Sequence, residues 1–137
     1  MANEAVPMFA QGSVLGIPFI CANATGIEMG TVVKLADPFT VSAAAAQNDI
    51  VGGITLAEKI ASDGVITVPV ARSGVWKVTA SGNITVGNAL VVAPIPTANK
   101  FEAAAVNAEN IAGTALETAT DGQTFLMELR PFGINLA

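Results

Sequence analysis

Val65-Ile-Thr-Val-Pro-Val-Ala-Arg72, then Ser73-Gly74, then Val75-Trp-Lys-Val-Thr79: two runs of β-branched and aromatic residues joined by a turn signal decide the fold. Each run is strand-length, and Asp63-Gly64 before the first and Ser81-Gly82-Asn83 after the second bound the pair with residues that favour turns. The pattern continues outward in both directions. Thr31-Val-Val-Lys-Leu35, Ala89-Leu-Val-Val-Ala93 and Thr124-Phe-Leu-Met-Glu-Leu-Arg130 are further short strands, with turns at Val86-Gly87-Asn88 and Asp121-Gly122. Many short strands at such spacing predict a mainly β chain, a small β-sandwich or barrel. Two Ala-rich stretches, Ser42–Gln47 and Glu102–Glu109, read either as single helical turns or as small-residue strands lying against another backbone.

The segments also repeat. Gly30-Thr-Val-Val-Lys-Leu-Ala-Asp37 opens a stretch that passes an Ala run, Ile50-Val-Gly52 and Asp63-Gly64 and closes at Arg72. Gly87-Asn-Ala-Leu-Val-Val-Ala-Pro94 opens another that passes an Ala run, Ile111-Ala-Gly113 and Asp121-Gly122 and closes at Arg130. The matching points lie 57, 61, 58 and 58 residues apart. Two related strand-rich halves, 30–74 and 87–133, would each leave an apolar face that only the other covers. The expected organisation is therefore an extended N-terminal arm over 1–20 and a single β-rich domain over 21–137.

Composition narrows the function. The 137 residues suffice for one core-forming domain. Only 12% are charged, about half the usual share, so the folded surface is poor in charge. Six basic residues against eleven acidic ones give a net charge of −5, which argues against a nucleic-acid groove. There is no His, the side chain best suited to proton transfer near neutral pH and a common metal ligand. The single Cys21 lies in an apolar run and is expected to be buried and inert. Residues 5–27 carry no charge, but Pro7, Gln11, Gly12, Ser13, Pro18 and Asn23 interrupt them, so no membrane span or secretory signal is expected. Gly82-Asn-Ile-Thr-Val-Gly87 has the glycine spacing of a phosphate loop but lacks the Lys and Ser/Thr that must follow. No catalytic residue, cofactor or metal site is expected.

Four residues stand out as candidates for interaction. Pro7, Met8 and Phe9 put two large apolar groups in an otherwise small and polar arm, and proline biases that arm toward extension. Such a segment either folds back on its own domain or pairs with a strand edge of a neighbouring subunit, Met8 and Phe9 entering a pocket there. The expectation taken forward is the neighbour. Trp76, the only tryptophan, is either a core residue or an interface anchor.

Five segments carry a resemblance: Asp49-Ile-Val-Gly-Gly-Ile-Thr55, Asp63-Gly-Val-Ile-Thr-Val-Pro-Val70, Gly74-Val-Trp-Lys-Val78, Ile84-Thr-Val-Gly87, and Ala112-Gly-Thr-Ala-Leu116 with Asp121-Gly-Gln123. In this order the chain resembles the capsid cement, or head decoration, proteins of tailed bacteriophages, from about Met29 to Arg130. The resemblance implies a β-rich domain made in the bacterial cytoplasm that binds the outer surface of the virion head. There it would act as a homotrimer that fastens copies of the major capsid protein, without catalysis, nucleic-acid contact or membrane contact. A charge-poor surface suits a protein that is buried against copies of itself and a shell. The alternatives are another virion component (a head fibre base, a tail tube part or a minor shell protein) and a carrier or ligand-binding β-barrel. The carrier reading needs a modifiable lysine at a hairpin tip, and Lys100 lacks the usual flanking residues.

Overall fold

The computed structural model describes residues 3–9, 16–47, 49–94, 99–105 and 110–133. Its strands in chain order are β1 (Val6–Phe9), β2 (Ile17–Ile20), β3 (Val32–Ala36), β4 (Thr40–Ala43), β5 (Val51–Thr55), β6 (Thr67–Ala71), β7 (Val75–Thr79), β8 (Ala89–Val92), β9 (Phe101–Ala103), β10 (Asn110–Ala115) and β11 (Thr124–Gly133). No described residue is helical, and both Ala-rich stretches contribute to strands, β4 and β9. Their short side chains cannot build an isolated helix of that length, whereas backbone pairing to β3 and β8 holds them extended.

Strands β2, β4, β3, β5 and β6 close into a barrel, and β1, β7, β11, β10, β8 and β9 form a six-stranded sheet. The barrel closes where Ile20 meets Thr40 in parallel. The sheet curls until Ala80, just after β7, meets Phe101 in a parallel bridge. Leaving β1 aside, the two units have one topology: β2 corresponds to β7, β3 to β8, β4 to β9, β5 to β10 and β6 to β11.

Hydrogen bonds fix the correspondence residue by residue. Ile27 N donates to Lys59 O at 2.8 Å, as Ile84 N does to Ala119 O at 2.8 Å; Gly30 N donates to Thr55 O at 3.0 Å, as Gly87 N does to Ala115 O at 2.8 Å. Cys21 N reaches Ile66 O at 2.9 Å, and Ala80 N reaches Gln123 O at 2.9 Å. Even the steric constraints repeat. A Cβ on Gly53 would lie 2.1 Å from Ala71 O, and one on Gly113 would lie 2.0 Å from Glu128 O. Both glycines sit where the register of their strand shifts, so a neighbouring carbonyl fills the side-chain position.

This register moves several expected boundaries. Ile17–Ile20, assigned to the arm by sequence, is β2, paired along its length with β6. It alternates as a barrel strand must, with Phe19 buried and Pro18 and Ile20 exposed. Each repeating unit also starts one strand earlier than Gly30 or Gly87, at β2 or β7. Within the repeat, Gly113 matches Gly53 rather than Gly52, and Arg72 matches Leu129 rather than Arg130.

The core has two parts. Inside the barrel pack Phe19, Cys21, Ile27, Val33, Val41, Val68 and Val70. The larger part fills the curled sheet with Trp76, Leu90, Phe101, Phe125 and Met127 and continues across the seam to Val32, Ile54 and Ala71 of the barrel. Each large side chain so buried contributes roughly 1.5–3 kcal/mol. Asn99 fastens the seam. It is buried, its Oδ1 accepts from Val32 N at 2.7 Å, and its Nδ2 donates to Asn3 O at 2.6 Å and Gly30 O at 3.1 Å. One side chain thereby ties the curled sheet, the barrel and the arm together.

Candidate interaction surface

The arm strand β1 runs antiparallel to β7 of its own chain, Val6 opposite Lys77, Pro7 opposite Trp76 and Phe9 opposite Val75. In the isolated chain the arm's partner is therefore its own sheet edge and not a neighbour. Ala5 N donates to Gly30 O at 2.8 Å, which anchors the approach to that edge. Its counterpart β2 is already flanked by β6 along its length and, at Ile20, by β4, which closes the barrel. By register with β6 and β11, Pro18 occupies in β2 the place of Lys77 in β7, and proline removes the amide that an added strand would need. Pro7 sits in the added strand at the sheet's edge, where a missing donor is tolerated.

Of the residues singled out by sequence, Pro7, Met8 and Trp76 are brought to one place, but not in one role. Trp76 is 1% exposed, and its Nε1 donates to Ser73 O at 3.0 Å. Its apolar body lies in the core and its one donor is satisfied, so in the single chain it is a core residue, the first of its two readings. Pro7, Val6 and Met8 remain exposed. Phe9 pairs through its backbone, and its side chain lies outside the described residues.

Two clefts flank this framework. The first, of about 490 Å³, lies between β1 and the turns at Glu28-Met29 and Leu56–Glu58, with Val6, Pro7 and Trp76 on its wall. The second, of about 590 Å³, opens at the mouth of the barrel and is lined by Ile17, Phe19, Leu35, Phe39, Ile50 and Arg72. A smaller pocket, of about 170 Å³, shares Leu35, Ile50 and Arg72 and runs on to Ile111 and Phe132. Arg72 closes the boundary, its Nη1 donating to Gly52 O at 2.8 Å.

Around the second cleft runs an apolar band that sequence reading did not find. Phe39, at the tip of the β3–β4 turn, is 52% exposed and adopts a left-handed backbone with φ of 49°. A bulky residue reaches that conformation only at a cost of about 1–3 kcal/mol. Its ring rests on Phe19 with centroids 4.4 Å apart and planes inclined by 33°. Ile20 donates its amide to Phe39 O, Cys21, just after β2, donates to Ile66 O, and Ile50 and Phe132, the latter 59% exposed, carry the band to the curled sheet. These residues are far apart in sequence, and only Phe39, a large apolar group in an Asp-Pro-Phe turn, carried a local signal.

The Cys21 thiol is buried, and desolvation pushes its pKa up, away from the reactive thiolate. Among the described residues no group of three or more His, Cys, Asp or Glu could hold a metal ion. Lys59 is 3% exposed, and its Nζ is held by Asp63 Oδ1 at 2.8 Å, Asn23 O at 3.0 Å and Ile60 O. The bond from Lys59, with a second from Val65 N, holds the Asp63 carboxyl below its usual range. This lysine closes a loop and offers no free amine.

No protein-family model matches the sequence, and no curated protein matches it. Among solved structures, the chain is similar to the N base of the head fibre protein gp8.5 of bacteriophage phi29, with a TM-score of 0.56 and 17% sequence identity. The match covers 87% of this chain and 98% of that one, so both halves of the fold take part. At this identity the likeness is one of fold.

Proposed function

We propose that the protein is a structural component of a phage virion that binds the outer surface of the head and cements neighbouring copies of the major capsid protein. The observation that carries this reading is the likeness of fold, over nearly the whole of both chains, to a protein named as the base of a head fibre. It converges with the cement-protein resemblance, which rests on different grounds, the turn and strand motifs from Asp49 to Gln123. The surface agrees with the role, since a band of exposed Ile and Phe residues on a charge-poor protein is stable when covered by a partner. Cementing would work by linkage: each copy, assembled as a homotrimer, touches more than one capsid subunit, so separating them breaks several contacts at once. No catalysis is needed.

The second reading is a head-fibre base, an attachment platform rather than a clamp, and the same likeness favours it. Heating separates the two. Heads stripped of the protein should release DNA at a lower temperature than decorated heads, and adding purified protein should restore the difference. Decorated and stripped heads that rupture at one temperature would reject the clamp and leave the platform.

A further inference from the structure

We propose that copies of this chain associate through the apolar band around the barrel mouth, Phe39 of one copy lying against the mouth of the next and Asp37 facing the next copy's Arg72. The proposal rests on the homotrimer of the head-binding reading and gives that assembly its surface. The band is formed by Ile20, Phe39, Ile50, Ile66 and Phe132, all between 40% and 59% exposed.

The fold does not require apolar residues at these places, because the curled sheet builds them with polar ones. By the matching strand registers, Phe39 corresponds to Asn99, Ile20 to Thr79, Ile50 to Asn110 and Ile66 to Gln123. Phe39 and Asn99 share even the left-handed backbone, with φ of 49° and 63°. Asparagine adopts that conformation readily and phenylalanine does not, so the turn would be easier to build with the residue that the curled sheet uses. At all four positions the barrel carries a large apolar side chain, and leaves it exposed, where the other unit carries a polar one.

Area and charge both point to a second copy as what covers the band. Its five side chains expose on the order of 500 Å² together, at the upper end of apolar patches on monomers and the larger part of the ~800 Å² that a standard interface buries on each partner. A net charge of −5 makes copies of the chain repel one another over most of their surface. The two pockets along the band, however, are lined by one carboxylate, Asp37, and one guanidinium, Arg72, so charge balances there. In a cyclic arrangement the acid of each copy then meets the base of the next. Arg72 is held ready for this, since its Nη1 is bonded to Gly52 O at 2.8 Å. A partner of different sequence would need its own match to this pattern, and a second copy carries it already.

Sedimentation equilibrium of the full chain over a range of concentrations tests this. The unmodified chain should associate to a trimer, and Phe39→Asn should raise the dissociation midpoint about tenfold or more while circular dichroism shows the fold intact. Ile20→Thr should act in the same direction by less, and Asp37→Lys should weaken association most at low salt. Val86→Thr, at a side chain 57% exposed outside the band, should change nothing. A chain that stays monomeric at every concentration, a Phe39→Asn or Asp37→Lys chain that associates as tightly as the unmodified one, or an equal loss from Val86→Thr would overturn the proposal. A monomeric chain whose binding to stripped heads is lost with Phe39→Asn would give the band to the capsid protein instead. Co-sedimentation with stripped heads scores the head-binding reading separately: a chain that associates through the band but fails to sediment counts against that reading and leaves the interface between copies standing.

Discussion

The barrel and the curled sheet are one topology filled differently. At matching interior positions the barrel carries Ile17, Val41, Val68 and Val70 where the curled sheet carries Trp76, Phe101, Phe125 and Met127. The larger set closes its unit and reaches across the seam, and all four side chains are buried. The smaller set leaves the barrel's mouth open as the cleft under Phe39, with Ile17 only half-buried at its edge. The flanks differ in the same sense: β7 accepts the arm, while β2 is closed off by β4 at Ile20. The difference teaches a division of labour, in which the curled sheet supplies most of the stability and the barrel, with the arm, supplies the surfaces free for contact.

The comparison breaks most sharply at the paired glycines. Gly53→Ala and Gly113→Ala each drive a methyl group into a strand carbonyl, and neither carbonyl can yield without parting two strands. Both variants should fail to give a cooperative melt. Gly87→Ala meets open space and strains only a φ of 90°, so it should fold with a loss of about 1–2 kcal/mol. A normal melt for either of the first two would show that the shared register is wrong.

Core truncations come next. Phe125→Ala should cost about 3–5 kcal/mol, whereas Val68→Ala, its counterpart in the barrel, removes two carbons and should cost about 2 kcal/mol. Equal losses in denaturant titrations would contradict the division of labour.

Asn99→Ala tests the seam. It strands the buried Val32 amide and frees the arm at Asn3, so about 1–3 kcal/mol should be lost. Hydrogen exchange should speed up at Val32 and Ala5 more than at Phe125, and uniform exchange would deny Asn99 its role as a staple.

Acid gives the smallest effect and confines it to the barrel. Because Asp63 has a lower pKa folded than unfolded, its contribution is complete above the ordinary carboxylate range and disappears as pH falls through the depressed value. The melting temperature of the unmodified chain should therefore exceed that of Asp63→Asn at neutral pH, and the gap should close on acidification. A constant gap would detach the Lys59–Asp63 pair from stability.

These contrasts also mark what the sequence made legible. The long β-branched runs announced β3, β6, β7, β8 and β11, because alternation of large residues survives without tertiary context. Strands β5, β9 and β10 are built on Gly and Ala, and only pairing with their neighbours keeps them extended. The repeat was visible in its glycines, but its register was not, since Gly52 and Gly53 are adjacent and only the carbonyl of Ala71 distinguishes them. At the surface, the exposed pair Pro7 and Met8 was legible as a local feature of the arm. The apolar band from Ile20 through Phe39 to Phe132 was not, because it is assembled by closure of the barrel.

The central claim is that the two-unit domain sits on the head and bridges capsid subunits, and electron cryomicroscopy of heads purified with and without the protein tests it most directly. The account predicts added density on the outer surface that fits the barrel and the curled sheet together, with the arm and barrel surfaces against at least two capsid subunits. Density at the tail or inside the shell, or a domain that touches a single capsid subunit, would contradict it.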